Sequence, residues 1–335
     1  MTVTLGFLQE RYVFEATPTS SDLAALHVPF DDLTGSEGTE ARFEQALRRS
    51  ERVALIGKSG SGKSSVIAHV LGPLAEGLAP MPVPVAAMPT EAIDGPSSLI
   101  DHLVDTVARN ARAANVDVDV GSAKATTVET ATATRKGRLG GSYRFLAGEI
   151  GREVTRQTTL ETNATFADKT DALVQVFETV RDHGLEPVLV FDDTDRWLRQ
   201  SGNDLATSFF RETVRWLLEL PVGLVVAVHP TYFEGTSRAQ VLEYLDTQID
   251  IPTLDSPEAI EAILARRIEQ YGQITAPDIA DVLEPDVATV LLELYREVGS
   301  LRRALQVCHI ALHEAVGAGA TRISAGHIIA AANAG

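Results

Sequence analysis

"VALIGKSGSGKSS", running from Val53 to Ser65, decides how the rest of the chain is read. Four apolar residues make a short buried strand, the chain then turns through Gly57, Gly60 and Gly62, and "GKSSVIAHVLGPL" opens a helix. Gly57-x-x-x-x-Gly62-Lys63-Ser64 has the spacing of a phosphate-cradling loop, with the strand before it and the helix after it that such a loop requires. The glycines let backbone N–H groups turn inward around phosphate oxygens, and the helix start adds the positive end of its dipole. Lys63 sets a charge against the terminal phosphates, and the Ser64 hydroxyl is a ligand for Mg²⁺. The loop therefore assigns Gly57, Lys58, Ser59, Gly60, Ser61, Gly62, Lys63, Ser64 and Ser65 to a nucleoside triphosphate with magnesium.

The second half of such a site is a strand that ends in acid, and "EPVLVFDDTDRW" supplies it. Asp192, closing a buried apolar run, is expected to hold the magnesium shell, and Asp193 to orient or deprotonate the attacking water. Packing explains Asp192 poorly, whereas Asp193 and Asp195 also read as surface-loop residues. Many such strands end Asp-Glu; Asp-Asp shortens the base by one methylene, which slows hydrolysis without abolishing it.

At 335 residues the chain is long enough for two domains, with the apolar and charged fractions of a globular protein. A formal charge of −17 argues against a generally basic surface that coats nucleic acid. Cys308 is the single cysteine, which excludes an intrachain disulfide and a cysteine-based zinc cluster, and its setting in "ALQVCHIAL" reads as a small buried hydrophobe. "MTVTLGFLQERYVF" lacks the basic and apolar regions of a secretory signal. No apolar run approaches the roughly 20 residues that cross a bilayer. The expected location is the cytoplasm.

Along the chain, residues 1–35 carry no strong period and read as an irregular N-terminal segment. "TEARFEQALRRS" (39–50) has helical spacing, "MPVPVAAMP" (81–89) reads as an edge strand because of its prolines, and "SSLIDHLVDTVARNARAA" (97–114) as a serine-capped helix. Residues 115–165 are rich in Thr, Ala and Gly, carry Arg135, Lys136, Arg138 and Arg144, and place Gly140-Gly141 between two alternating stretches. This is an inserted β-hairpin, either a solvated one or a basic arm that touches a partner. "DKTDALVQVFETVRDHG" and "DLATSFFRETVRWLLEL" read as helices, "VGLVVAVHP" as a buried strand, "SRAQVLEYLDT" as a helix and "QIDIPTL" as the last strand. Near-continuous apolar strands alternating with helices predict an α/β fold, a parallel sheet covered on both faces. From Ser256 onward the pattern is helical throughout. The expected division is 1–35, an αβα core over 36–252 with its insert at 115–165, and a helical lid over 253–335.

The order of phosphate loop, "VLVFDDTDRW", "GLVVAVHP" and a helical region containing "GSLRRAL" resembles the AAA+ P-loop ATPases. It looks most like their initiator and clamp-loader branch, with some STAND-like character, over roughly residues 35–335 outside the insert. The resemblance implies ATP as the nucleotide and matches Arg302 to the sensor-2 arginine, which reaches from the lid to the γ-phosphate. Arg302 and Arg303 also read as a solvated helix face. His229 ends the strand "GLVVAV", where the family usually carries Asn, Thr or Ser as sensor 1. Arg238 occupies the general region of the arginine finger given to a neighbouring subunit, although a lone arginine opening a helix is usually solvated.

Initiators of this branch generally append a winged-helix DNA-binding domain and STAND proteins an effector region; neither pattern is expected here. What the resemblance implies is an ATPase that couples nucleotide state to lid movement and to remodelling or loading of a protein partner within an oligomer. The alternative is an ATP-dependent switch or scaffold with little hydrolysis, the regulatory subunit of a larger complex. Nucleic acid would be met only through the basic insert or a partner subunit.

Overall fold

The computed structural model describes residues 4–35, 38–72, 77–85, 95–118, 120, 164–194, 209–233 and 244–334. Its strands form one five-stranded sheet: β1 (Arg52–Ile56), β2 (Leu78–Val83), β3 (Glu186–Phe191), β4 (Gly223–Val228) and β5 (Thr247–Asp250), in the order β2-β3-β4-β1-β5. β2 pairs parallel with β3 from Leu78↔Glu186 to Val83↔Phe191, and β3 parallel with β4 from Val188↔Gly223 to Phe191↔Val226. Every residue of β4 is buried, as are the last five of β3, so the period-2 alternation is absent because both faces are covered. This is the expected α/β class with helical C-terminal residues. β2 takes a sheet edge, as its prolines require, but begins three residues before the quoted run 81–89. The hairpin expected around Gly140-Gly141 lies outside the described residues, as do the helix expected over 237–247 for its first part and residues 204–208 of another.

The chain divides into two compact units. One comprises residues 44–54 and 71–248. In it α6 (Pro96–Ala113) and α7 (Phe166–Asp182) pack on each other and on β2 and β3. The serine cap expected for α6 is not used. Gly95 is the N-cap, without a side-chain bond, and Pro96 takes the first helical position, where its missing N–H costs nothing. α7 starts on a complete capping box: the Asp168 N–H donates to Thr165 Oγ1 at 3.2 Å, and the Thr165 N–H to Asp168 Oδ2 at 2.8 Å. Thr165→Ala is therefore expected to cost about 1 kcal/mol in urea unfolding. An unchanged midpoint would show that the box adds nothing to α7. Where one continuous helix was expected, Phe209–Thr213 forms a π-helical turn that runs into α8 (Val214–Leu217) and buries Phe209 and Phe210 side by side.

The other unit comprises residues 1–43, 55–70 and 249–335. Its N-terminal segment is helical rather than irregular: α1 (Leu5–Glu10), α2 (Ser20–Leu26) and α3 (Phe30–Thr34). None reaches the length at which a helix holds in isolation, so no period is visible and tertiary packing forms them. α1, α2 and α3 pack on α9 (Pro257–Gly272), and α1 also on α11 (Leu301–Gly317). α10 (Val287–Val298) and α12 (Ala325–Ala334) complete the bundle. α4 (Thr39–Arg48) and α5 (Lys63–Leu71) flank β1 in sequence. Cys308 is fully buried in α11, and burial pushes its thiol up to about 12, which leaves it inert as its apolar setting predicts.

Candidate functional site

The loop between β1 and α5 has the backbone its glycines allow. Gly60 (φ +78) and Gly62 (φ +106) are left-handed, and a side chain at Gly57 would run into Ser61 Oγ. Lys63 is buried, and its Nζ donates to Gly57 O at 2.6 Å and Lys58 O at 3.0 Å, which holds the ammonium on the loop. Ser61 Oγ is buried with no hydrogen-bond partner among the described residues. Lys58 is exposed, and Ser59, Gly60, Ser64 and Ser65 are half-buried.

Beside this loop, within the same unit, lies a cavity of about 560 Å³, open mouth included. Leu23, Leu26, Phe30, Leu33, Ile263 and Leu305 give it apolar walls, and His27, Ser61, Gly62, Ser65 and Arg267 supply polar edges. Arg267 is almost wholly buried, burial holds its pKa below the usual value, and its Nη1 donates to Glu15 O at 2.7 Å. Sequence reasoning missed these walls because the N-terminal segment shows no period. The one available signal was a histidine and an arginine within apolar runs.

The start of α11 meets the loop directly. The Leu301 N–H donates to Gly60 O at 3.1 Å, and a Cβ on Gly60 would stand 2.5 Å from Ser300 Oγ and 3.0 Å from Arg302 Cβ. Lys58 runs past Gly299, the left-handed residue (φ +69) that ends α10. The structure thus brings Arg302, an exposed residue, beside the phosphate loop.

In the other unit, Asp192 is buried at the end of β3, and its Oδ1 accepts the Asp193 N–H at 2.7 Å. Asp193 is left-handed (φ +58), a conformation Asp tolerates better than most residues. Thr194 fixes this turn: its hydroxyl donates to Ala227 O in β4, and its carbonyl accepts from Tyr232 Oη at 2.9 Å. His229 Nδ1 accepts the Thr231 N–H at 3.3 Å and lies 2.8 Å from Thr231 Oγ1, so that nitrogen serves its own turn. Asp195, Arg238 and the arginines and lysine of the insert lie outside the described residues. Among the described residues no helix is long and apolar enough to cross a membrane, and no group of three or more His, Cys, Asp or Glu is arranged to hold a metal.

No protein-family model matches the chain, and no curated protein matches it. Among solved structures, the ORC1 protein of Aeropyrum pernix in complex with DNA is 18% identical, covers 91% of this chain and has a TM-score of 0.49. The ORC2 protein of Aeropyrum pernix in its ADPNP–ADP complexes is 15% identical over 88% of this chain, with a TM-score of 0.48. Drosophila ORC bound to DNA is 13% identical over 98%, with a TM-score of 0.49. This chain spans 65% of the length of each of the three. All three are ORC proteins, and what they share with this chain is the fold.

Proposed function

We propose that the chain binds ATP with Mg²⁺ and hydrolyses it, coupling nucleotide state to movement of the helical lid and to remodelling or loading of a protein partner within an oligomer. The observation that carries this reading is the loop itself: left-handed Gly60 and Gly62 and the buried Lys63 stand beside an apolar cavity suited to a nucleobase. In this reading the backbone N–H groups and Lys63 bind the phosphates, and Arg302 extends from the lid toward the γ-phosphate. Ser64 and Asp192 offer the hard oxygen donors that Mg²⁺ prefers, and the ion would neutralise charge on the transferring phosphate. Asp193 handles the water, and Arg238 completes a neighbouring subunit's site.

Asp193→Asn keeps the shape and the tolerance of left-handed backbone while removing the base. It is expected to retain bound ATP while turnover falls to the level of the reagent blank, read by phosphate release beside a filter-binding measurement. Turnover that survives the substitution overturns the role of Asp193. Turnover per chain is also expected to rise with protein concentration, and a constant value would dispose of sites completed between subunits.

A second reading, the switch with little hydrolysis, draws support from His229, whose Nδ1 accepts the Thr231 N–H of its own turn. Tight ATP binding with negligible turnover at every concentration would select it.

A further inference from the structure

His27 is buried among apolar neighbours, and its imidazole bridges two elements. Nε2 lies 2.8 Å from Glu40 Oε1 on α4, and Nδ1 lies 3.1 Å from Ser65 Oγ on α5. The same Glu40 oxygen accepts the Phe30 N–H at 3.0 Å, and Ser65 Oγ donates to Leu23 O at 3.4 Å. The Glu40 carboxylate can only accept, so Nε2 of His27 donates to it, while Nδ1 shares a hydrogen bond with the Ser65 hydroxyl on α5. Burial works to raise the Glu40 carboxyl, yet the bonds from His27 and Phe30 outweigh it and hold the group below its usual range. The His69 ring lies 4.6 Å from that of His27, and its pKa is lowered first by its own burial and then by the neighbouring imidazole.

Ser65 follows Lys63 and Ser64 in the first turn of α5, and His27 and Ser65 both line the cavity beside the loop. We infer that His27 is a positioning residue for the phosphate-binding loop: anchored by Glu40, it holds Ser65 and so sets the turn from which Lys63 and Ser64 reach the nucleotide. The inference rests on the nucleotide-binding reading above. His27 does not touch the phosphates. Its ring nitrogens are spent on Glu40 and Ser65, which leaves its ring as part of the cavity wall. Occupancy of the cavity and orientation of the loop are thereby linked through one side chain.

The test is a titration of the full chain with a fluorescent ribose-labelled ATP in the presence of Mg²⁺, using Ser65→Ala, His27→Ala, the double variant and Ser65→Thr. Ser65→Ala introduces the strongest helix former and keeps the chain folded if His27→Ala alone does not. Each single substitution is expected to weaken binding roughly tenfold, the loss of one buried hydrogen bond. The double variant should bind no more weakly than the worse single, because both act through one link. Ser65→Thr, which keeps the hydroxyl, should restore most of the affinity. Fully additive losses, or an unchanged affinity in Ser65→Ala while Lys63→Ala still abolishes binding, overturn the inference. Wild-type binding that is undetectable, or indifferent to Lys63→Ala, overturns instead the nucleotide reading on which it rests.

Discussion

Lys63→Ala is expected to abolish retention of ATP and to bring turnover to background. The ammonium is buried and held on the loop by the carbonyls of Gly57 and Lys58, so its position is set before any ligand arrives. Charge-assisted bonds to phosphate are each worth about 1.5–3 kcal/mol, and losing two of them weakens binding by at least ~100-fold. Lys63→Arg is not expected to rescue, because a planar guanidinium does not fit where a compact ammonium turns between two carbonyls. The check is a thermal melt with and without saturating ATP and Mg²⁺. At a ligand concentration of about 100 Kd the wild type should gain about 2.7 kcal/mol, and the variant should gain nothing. An equal gain in both would mean that the loop is not where the nucleotide binds.

Gly60→Ala is expected to separate the start of α11 from the loop. The backbone conformation alone costs a residue with a side chain about 1–2 kcal/mol. The new methyl would also stand 2.5 Å from Ser300 Oγ and 3.0 Å from Arg302 Cβ. Ser300 is the N-cap of α11, accepting the Arg303 N–H at 3.4 Å, and displacing it forfeits about 1 kcal/mol more. Gly35→Ala is the matched control: it too is left-handed (φ +63), but nothing lies within 4 Å of the added atom. Hydrogen exchange at the Leu301 amide, which donates to Gly60 O, should accelerate in Gly60→Ala and stay unchanged in Gly35→Ala. Equal destabilisation by the two substitutions, with Leu301 still protected, would show that the loop and α11 are not mechanically joined.

The phosphate loop was legible because everything it needs is local: strand, glycines, lysine and helix start follow one another without a gap. β3 and β4 were legible for a related reason, since strands buried on both faces announce themselves as unbroken apolar runs. The helices after Ser256 carry their own period and caps. The cavity and its histidine were not legible. His27 finds Glu40 thirteen residues away and Ser65 thirty-eight away, and no periodicity encodes a partner at those separations. The contact between Gly60 and Leu301 joins residues from distant parts of the chain, and α1 to α3 are too short to declare themselves before they are packed. Sequence thus displayed the loop and hid the cavity beside it.

Pro80 and Pro82 in β2 carry a consequence for how this molecule meets others. β2 is registered with β3 along its whole length, so the two imino acids turn their donorless nitrogens toward the open side of the sheet. An approaching strand would find carbonyl oxygens there and, at two successive outward positions, no N–H to complete a ladder. Among the described residues that margin is therefore a poor template for strand addition, and fibrillar stacking through it is disfavoured.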